Sequence, residues 1–253
     1  MGANADIPSL NLLERLDLAL AARAVTSVPD VAGLTEGQRL PSPPTTAAKH
    51  WVSGILGLRG LLVHPDDVER ITGSEKFEEA NEHQKYLLIR GMCAVHSRLE
   101  DLVGKGITPD GWSIVELFEK FTSGVARFRN NTLRRDMPWD SILYVNYPQC
   151  DDLKDCLDSF HLANSFTDIK VRFQNLHPVR QAFRVMWHFG RLAPFPDFNL
   201  SMSWVAMNLY LISTGYPAIT PQGEDRELIH RLMTGPVPVR ITPFEARLLG
   251  QCE

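Results

Sequence analysis

One stretch constrains this chain more than any other. It runs from Leu192 to Ile219, and in it Pro194 and Pro196 precede a nearly unbroken apolar run. Proline fixes φ and lacks a backbone donor, so the two prolines forbid regular helix at the start of the stretch. Asp197 or Asn199 can then cap the helix that follows. From Leu200 to Ser213 the residues are mostly apolar around the whole circumference, which predicts a helix in the centre of a core. Gly215 supplies a left-handed residue to end it, and Pro217 prevents its resumption. A turn that feeds a central helix N-terminus is a common place to hold an anion.

A central helix needs others to bury it, and the chain supplies them. Ser9 can cap a helix with Leu10, Leu13, Leu16 and Leu20 on one face, ending near Ala24. A connector bearing Pro29, Gly33, Gly37, Pro41, Pro43 and Pro44 is predicted to be irregular. Thr45 or Thr46 starts a helix through Trp51, Ile55 and Leu58, and Pro65-Asp66-Asp67 suits the first turn of a short one. The longest helix is expected from Phe77 to Leu102, and Thr108-Pro109-Asp110 opens the next. Alternation in Ile142-Leu143-Tyr144-Val145 predicts a β-hairpin or flap within residues 122–149. Further helices are expected from Asp151 to about Phe166, His177 to Leu192, Glu224 to Met233 and Pro243 to Gly250.

With 253 residues, 44% of them hydrophobic, one large domain is the first expectation. The formal charge is 26 − 30 = −4 with no basic run, which gives nucleic-acid binding little support. No apolar run reaches 18 residues and no charged-then-apolar leader opens the chain, so a cytoplasmic protein without a membrane span is expected. Cys93, Cys150, Cys156 and Cys252 are scattered and read as reduced thiols rather than a zinc site or disulfide framework.

The organising stretch resembles the signature of the Fic (Fido) family, a loop and helix reading His-x-Phe-x-Asp/Glu-Gly-Asn-Gly-Arg-x-x-Arg. Phe195, Asp197 and Asn199 match it, and Pro194 and Pro196 suit it. Met207 to Leu211 and Gly215-Tyr216-Pro217 resemble the family's next helix and its end. Upstream, Val52 to Gly57 resembles the family's inhibitory Ser/Thr-x-x-x-Glu-Gly/Asn helix, with Val52 at the Ser/Thr position and Leu56 at the Glu position. Ala126 to Arg129 resembles the turn before the flap, and Ile142 to Pro148 the flap itself. The resemblance covers about residues 45 to 220. It implies a mostly α-helical, Fic-like domain with a short β-hairpin flap beside the loop at 193–201. Residues 1–44 would be an N-terminal helix and connector packed on the domain, 45–220 the core, and 221–253 a helical tail.

The same likeness defines what chemistry is at stake. In an active family member the His takes a proton from a target hydroxyl that attacks a nucleotide α-phosphate. The acidic residue holds Mg²⁺, the Gly-Asn-Gly backbone cradles the anion, and the Arg side chains neutralise it. Here Ala193 stands at the His, Phe198 and Leu200 at the two Gly, Ser201 at the first Arg and Trp204 at the second. Loss of a base alone costs about 10²- to 10⁴-fold in rate. Leu56 and Trp204 stand where an inhibitory Glu would face its Arg, so an ion pair has been exchanged for an apolar one, which leaves no buried charge unpaired.

The leading expectation is therefore a Fic-fold protein without the family's AMP transfer. Its cleft would form an apolar pocket from Leu56, Ala193, Phe195, Phe198, Asn199, Leu200, Ser201 and Trp204, with Tyr144 over it. The pocket would take a non-nucleotide small molecule with an apolar or aromatic part, and any new catalysis would use Asp197, His188 or Arg129. Each has a plainer role as well: a helix cap for Asp197, a surface or core histidine for His188, a solvated cation for Arg129. The alternative is a non-catalytic pseudoenzyme whose flap edge holds a partner's strand. Residual nucleotidyl transfer comes third. No cofactor and no metal is assigned; His161 and His177 lack metal-ligand spacing.

Overall fold

A computed structural model describes residues 11–26, 45–72, 80–104, 110–160 and 175–252. Local capping chemistry sets most of the helix starts. Helix α1 spans Leu12–Thr26, and the Asn11 side chain accepts from the N–H groups of Leu13 and Glu14. Thr45 caps α2, Thr46–Leu58, through the Ala48 N–H, and Gly60 at φ 92° turns the chain away after it. Pro65 with Asp66 and Asp67 opens α3, Pro65–Thr72. The long α4 is Ala80–Gly104, and Asp110 caps α5, Gly111–Thr122, through Ser113. A short α6, Leu153–Asp158, precedes α7, Pro178–Leu192, whose cap is the His177 ring. Then come α8, Asn199–Ser213, α9, Asp225–Thr234, and α10, Thr242–Cys252.

The core forms around α8. Every residue from Asn199 to Leu209 is buried, and the helix packs against α2, α4, α5 and α7. Among the helices around it, one close approach needs glycine. A Cβ on Gly91 of α4 would lie 1.8 Å from the Phe121 carbonyl oxygen of α5. One on Gly190 of α7 would lie 2.5 Å from the Met233 methyl of α9, the movable end of a flexible side chain. Helix α1 packs on α10. Among the described residues no helix is long and apolar enough to cross a membrane.

The mostly helical architecture expected from the sequence is present, but the β-hairpin is not: among the described residues no β-strand forms. Residues 129–149 are a chain of turns. Ile142 and Val145 are buried while Leu143 and Tyr144 are 79% and 93% exposed, a three-residue spacing rather than the two-residue alternation of a strand. Tyr144 is left-handed at φ 66°, the Val145 N–H closes a turn on the Ile142 carbonyl, and the Tyr147 hydroxyl accepts the Ile142 N–H. The segment spends other donors on the loop before α8, Arg134 N–H on Pro194 O and Trp139 N–H on Pro196 O. The helix expected to run from Asp151 to about Phe166 is shorter, ending at Asp158; the connector at 27–44, Ser9, Leu10, Phe77 and residues 161–166 lie outside the described residues.

Candidate functional site

The loop between α7 and α8 carries two strained residues. Ala193, at the C-terminus of α7, has φ 41° and ψ 62°, and Phe198, just before α8, has φ 64° and ψ 23°. Left-handed backbone costs a residue with a Cβ roughly 1–2 kcal/mol. At Phe198 burial outweighs it, because sinking a phenylalanine ring contributes about 1.5–3 kcal/mol. The ring packs edge-on against Phe121 and Phe128, and Phe195 stacks flat on Phe118 at 3.9 Å. Aromatic packing thus holds Phe198 in a left-handed conformation that its Cβ disfavours.

The polar side of the loop is just as fully engaged. Asp197, 2% exposed, pairs with the Arg59 guanidinium from the end of α2 and stands 3.4 Å from Arg127. Its Oδ1 also accepts the Phe198 N–H at 2.8 Å. Arg127 in turn lies over the rings of Phe128, Trp139 and Phe198 at 4.6–5.6 Å, a cation–π seat. Neither Asp197 nor Asn199 caps α8. The cap comes from the turn-rich segment: Asp140 Oδ2 accepts the Asn199 N–H at 2.6 Å and the Leu200 N–H at 3.4 Å. Its Oδ1 takes the Asn199 side-chain amide at 2.8 Å. Burial raises the Asp140 pKa; the Asn199 bond opposes this and the Asp197 charge adds to it. Asn199 also ties the loop to itself, accepting the Phe195 N–H and donating to the Phe195 carbonyl.

Arg134 holds the other side. Buried to 6%, it donates to the carbonyls of Ala193 at 2.7 Å and Pro148 at 2.6 Å, and to Asp136 and Cys150 Sγ. Sequence reading missed Arg59, Arg134 and Asp140. They act from 138, 59 and 59 residues away, on Asp197, Ala193 and Asn199 respectively, and no local pattern flags them.

The remaining sequence-predicted residues fall into two groups. Leu56, Ala193, Phe195, Phe198, Leu200, Ser201 and Trp204 are all at most 4% exposed, packed within the core. Ser201 donates to the Ile55 carbonyl of α2, and Trp204 Nε1 to Ile219 O at 2.8 Å with its ring against Phe244. Tyr144 projects into solvent, Arg129 is exposed, and His188 lies apart on α7. His188 lines a separate cleft of about 390 Å³, where burial, with the charges of Arg184 and Arg191, pushes its imidazole down to about 3.

A magnesium–triphosphate does not fit this arrangement. Asp197, at the position where the resembled motif has its acidic residue, is held by two arginines, and the N–H groups of Asn199 and Leu200 already hold a carboxylate. Among the described residues no group of three or more His, Cys, Asp or Glu side chains is arranged to hold a metal.

Comparison with solved structures places the fold. A Fic domain-containing signalling protein from Bacteroides thetaiotaomicron superposes with a TM-score of 0.67 over 95% of this chain and 92% of its own, at 11% identity. Fic-1 from C. elegans, residues 134–508, gives 0.64 over 95% and 68% at 14% identity. A Fic family protein from Desulfovibrio desulfuricans gives 0.58 over 96% and 70% at 16% identity. No family model and no curated protein matches the chain in sequence. At these identities the likeness is one of fold: the chain has the Fic fold.

Proposed function

We propose that this Fic-fold protein does not transfer AMP and acts by binding a protein partner through its turn-rich segment. One observation carries the reading: Met137, Trp139, Leu143 and Tyr144, within eight residues, are 64%, 54%, 79% and 93% exposed. Four large apolar side chains projecting from one short segment mark an interaction surface. The segment is anchored beneath by Arg134, Trp139 N–H and Asp140, so its tips are presented on a fixed base. Preorganisation of that kind lowers the ordering cost of association.

Loss of AMP transfer is supported from the other face of the same segment. Ala193 offers no base, and Asp140 takes the N–H groups a phosphate would need. The rival reading, an apolar small-molecule pocket at Leu56, Phe198 and Trp204, is the weaker one because these side chains pack against the core at 1% exposure or less.

The test is to place a photo-crosslinking residue at Tyr144, identify the adduct from cell extract, and titrate the purified adduct protein. Leu143→Asp with Tyr144→Asp should weaken that binding at least tenfold, while Leu62→Asp, also exposed, should not. Equal binding by both variants overturns the docking surface. Modification of any protein with AMP by the purified chain and Mg²⁺–ATP overturns the rest.

A further inference from the structure

The cleft lined by His188 has a chemistry of its own. It lies between α6, the last turns of α7 and residues 146–148, and its volume of about 390 Å³ falls in the usual range for small-molecule sites. Three aromatic side chains, Tyr147, Phe160 and Trp187, line it together with Leu192. No carboxylate is among its described lining residues, and Arg191 is their one formally charged side chain.

The Arg191 guanidinium is fixed in place. It donates through Nη1 to the Met233 carbonyl at 2.8 Å and lies 4.8 Å from the centre of the Trp187 ring. That single bond leaves most of its donors for another acceptor. Trp187 is itself held, its indole N–H on the Leu232 carbonyl. Tyr147 accepts the Ile142 N–H at its hydroxyl oxygen, which leaves the phenolic proton to donate. The Arg191 charge bears on that phenol electrostatically. The cleft thus offers a fixed guanidinium and a phenol as donors, between aromatic walls.

We propose that this cleft is a binding site for a small aromatic carboxylate, its planar body against Trp187 and Phe160 and its carboxylate on Arg191 and Tyr147. A carboxylate accepts charge-assisted hydrogen bonds from both donors, whereas a neutral aromatic gains only the walls and a cation meets Arg191 as a like charge. The proposal rests on different residues from the partner-binding reading and stands or falls separately.

The experiment is calorimetric titration of the full chain with 1-naphthoate and with 1-naphthylmethanol, an uncharged molecule of similar shape. Saturable binding of naphthoate, at least tenfold tighter than the alcohol, is expected. Arg191→Gln should remove that preference and leave the alcohol unchanged. Because Arg191 also ties α7 to Met233, a second variant, Ser159→Trp, fills the rim of the cleft and should abolish binding of both compounds. No saturable binding of naphthoate, equal affinity for the two compounds, or naphthoate binding unchanged in both variants overturns the site.

Discussion

The two ends of α8 are held in opposite ways. At its C-terminal end the helix supplies its own fastenings. Gly215 turns the chain at φ 88°, where it meets no crowding. Asn208 clasps Ile219 by both its N–H and its carbonyl, and Trp204 adds a third bond to that carbonyl. At its N-terminal end the loop has left-handed residues that are not glycine, and its polar groups depend on distant elements: Arg59, Arg127, Arg134 and Asp140. A helix end built from its own residues is robust and inexpressive. One assembled from four remote side chains responds to whatever moves them, and it carries on its outer face the apolar tips proposed to meet a partner.

The sharpest way to break this comparison is to restore the charges of the resembled family. Trp204→Arg combined with Leu56→Glu would bury an ion pair in place of two fully buried apolar side chains and remove a bond to Ile219. Penalties for poorly compensated buried charge run to about 3–5 kcal/mol. The double variant should lose stability on that order in chemical denaturation. An unchanged midpoint would mean that the interior there is wet and that the apolar packing is incidental.

Next in size is Arg134→Met, which keeps the side chain's length and removes its donors. The carbonyls of Ala193 and Pro148 would lose their partner, and an unsatisfied buried polar group costs about 1–3 kcal/mol. A loss of about 3 kcal/mol is expected, with faster hydrogen exchange at the Trp139 amide. Loss of stability without loosening of residues 136–148 would make Arg134 a brace of α7 alone.

Those remote side chains also explain how much of the molecule was legible in its sequence. Thr45, Asp110, Pro65 and Gly215 act within four residues of themselves, so the helices they bound were readable. The centrality of α8 was readable too, because all-round apolarity admits only a buried helix. Arg134 and Asp140 were not, since a cap or brace delivered across 59 residues has no period to detect. The segment Ile142–Val145 misled because four apolar residues satisfy both an alternating strand and a turn that buries its first and fourth members. Only the turn is consistent with Tyr144 at φ 66°. The left-handed Phe198 was hidden for a related reason: the rings that offset its strain, Phe121 and Phe128, come from about 70 residues earlier in the chain.

A smaller effect should come from Asp140→Asn, with a pH signature. The amide keeps one acceptor for the N–H groups of α8 and loses the one that takes the Asn199 side-chain amide, for a cost of about 1 kcal/mol. Burial raises the Asp140 pKa from 3.8 in the folded state, so the folded chain holds that proton more tightly than the unfolded one. Stability from this group is therefore full below its unfolded pKa and is lost as pH rises through the folded one. Denaturation midpoints measured upward from pH 3.8 should show a falling contribution in the natural chain that the Asn variant lacks. A contribution that rises with pH instead would mean that the three donors at the head of α8 outweigh burial.

The smallest pair of changes tests the strain itself, by exchanging the residue types at the two ends. Gly215→Ala puts a Cβ at φ 88° in open space, so nothing offsets the left-handed penalty but the lower entropy of the unfolded chain. A loss of about 0.5–1 kcal/mol is expected. Ala193→Gly relieves a penalty of roughly 1–2 kcal/mol. It also gives up a buried methyl, about 0.8 kcal/mol, and restores chain entropy of about 0.5–1 kcal/mol. The sum is centred near zero and lies within about 0.8 kcal/mol of neutral. The exchange is thus costly where the chain holds itself and nearly free where remote side chains hold it. If Ala193→Gly proved as costly as Gly215→Ala, the backbone at 193 would be set by its methyl contact and not by Arg134 on its carbonyl, and the contrast between the two ends would collapse at the residue where it is most direct.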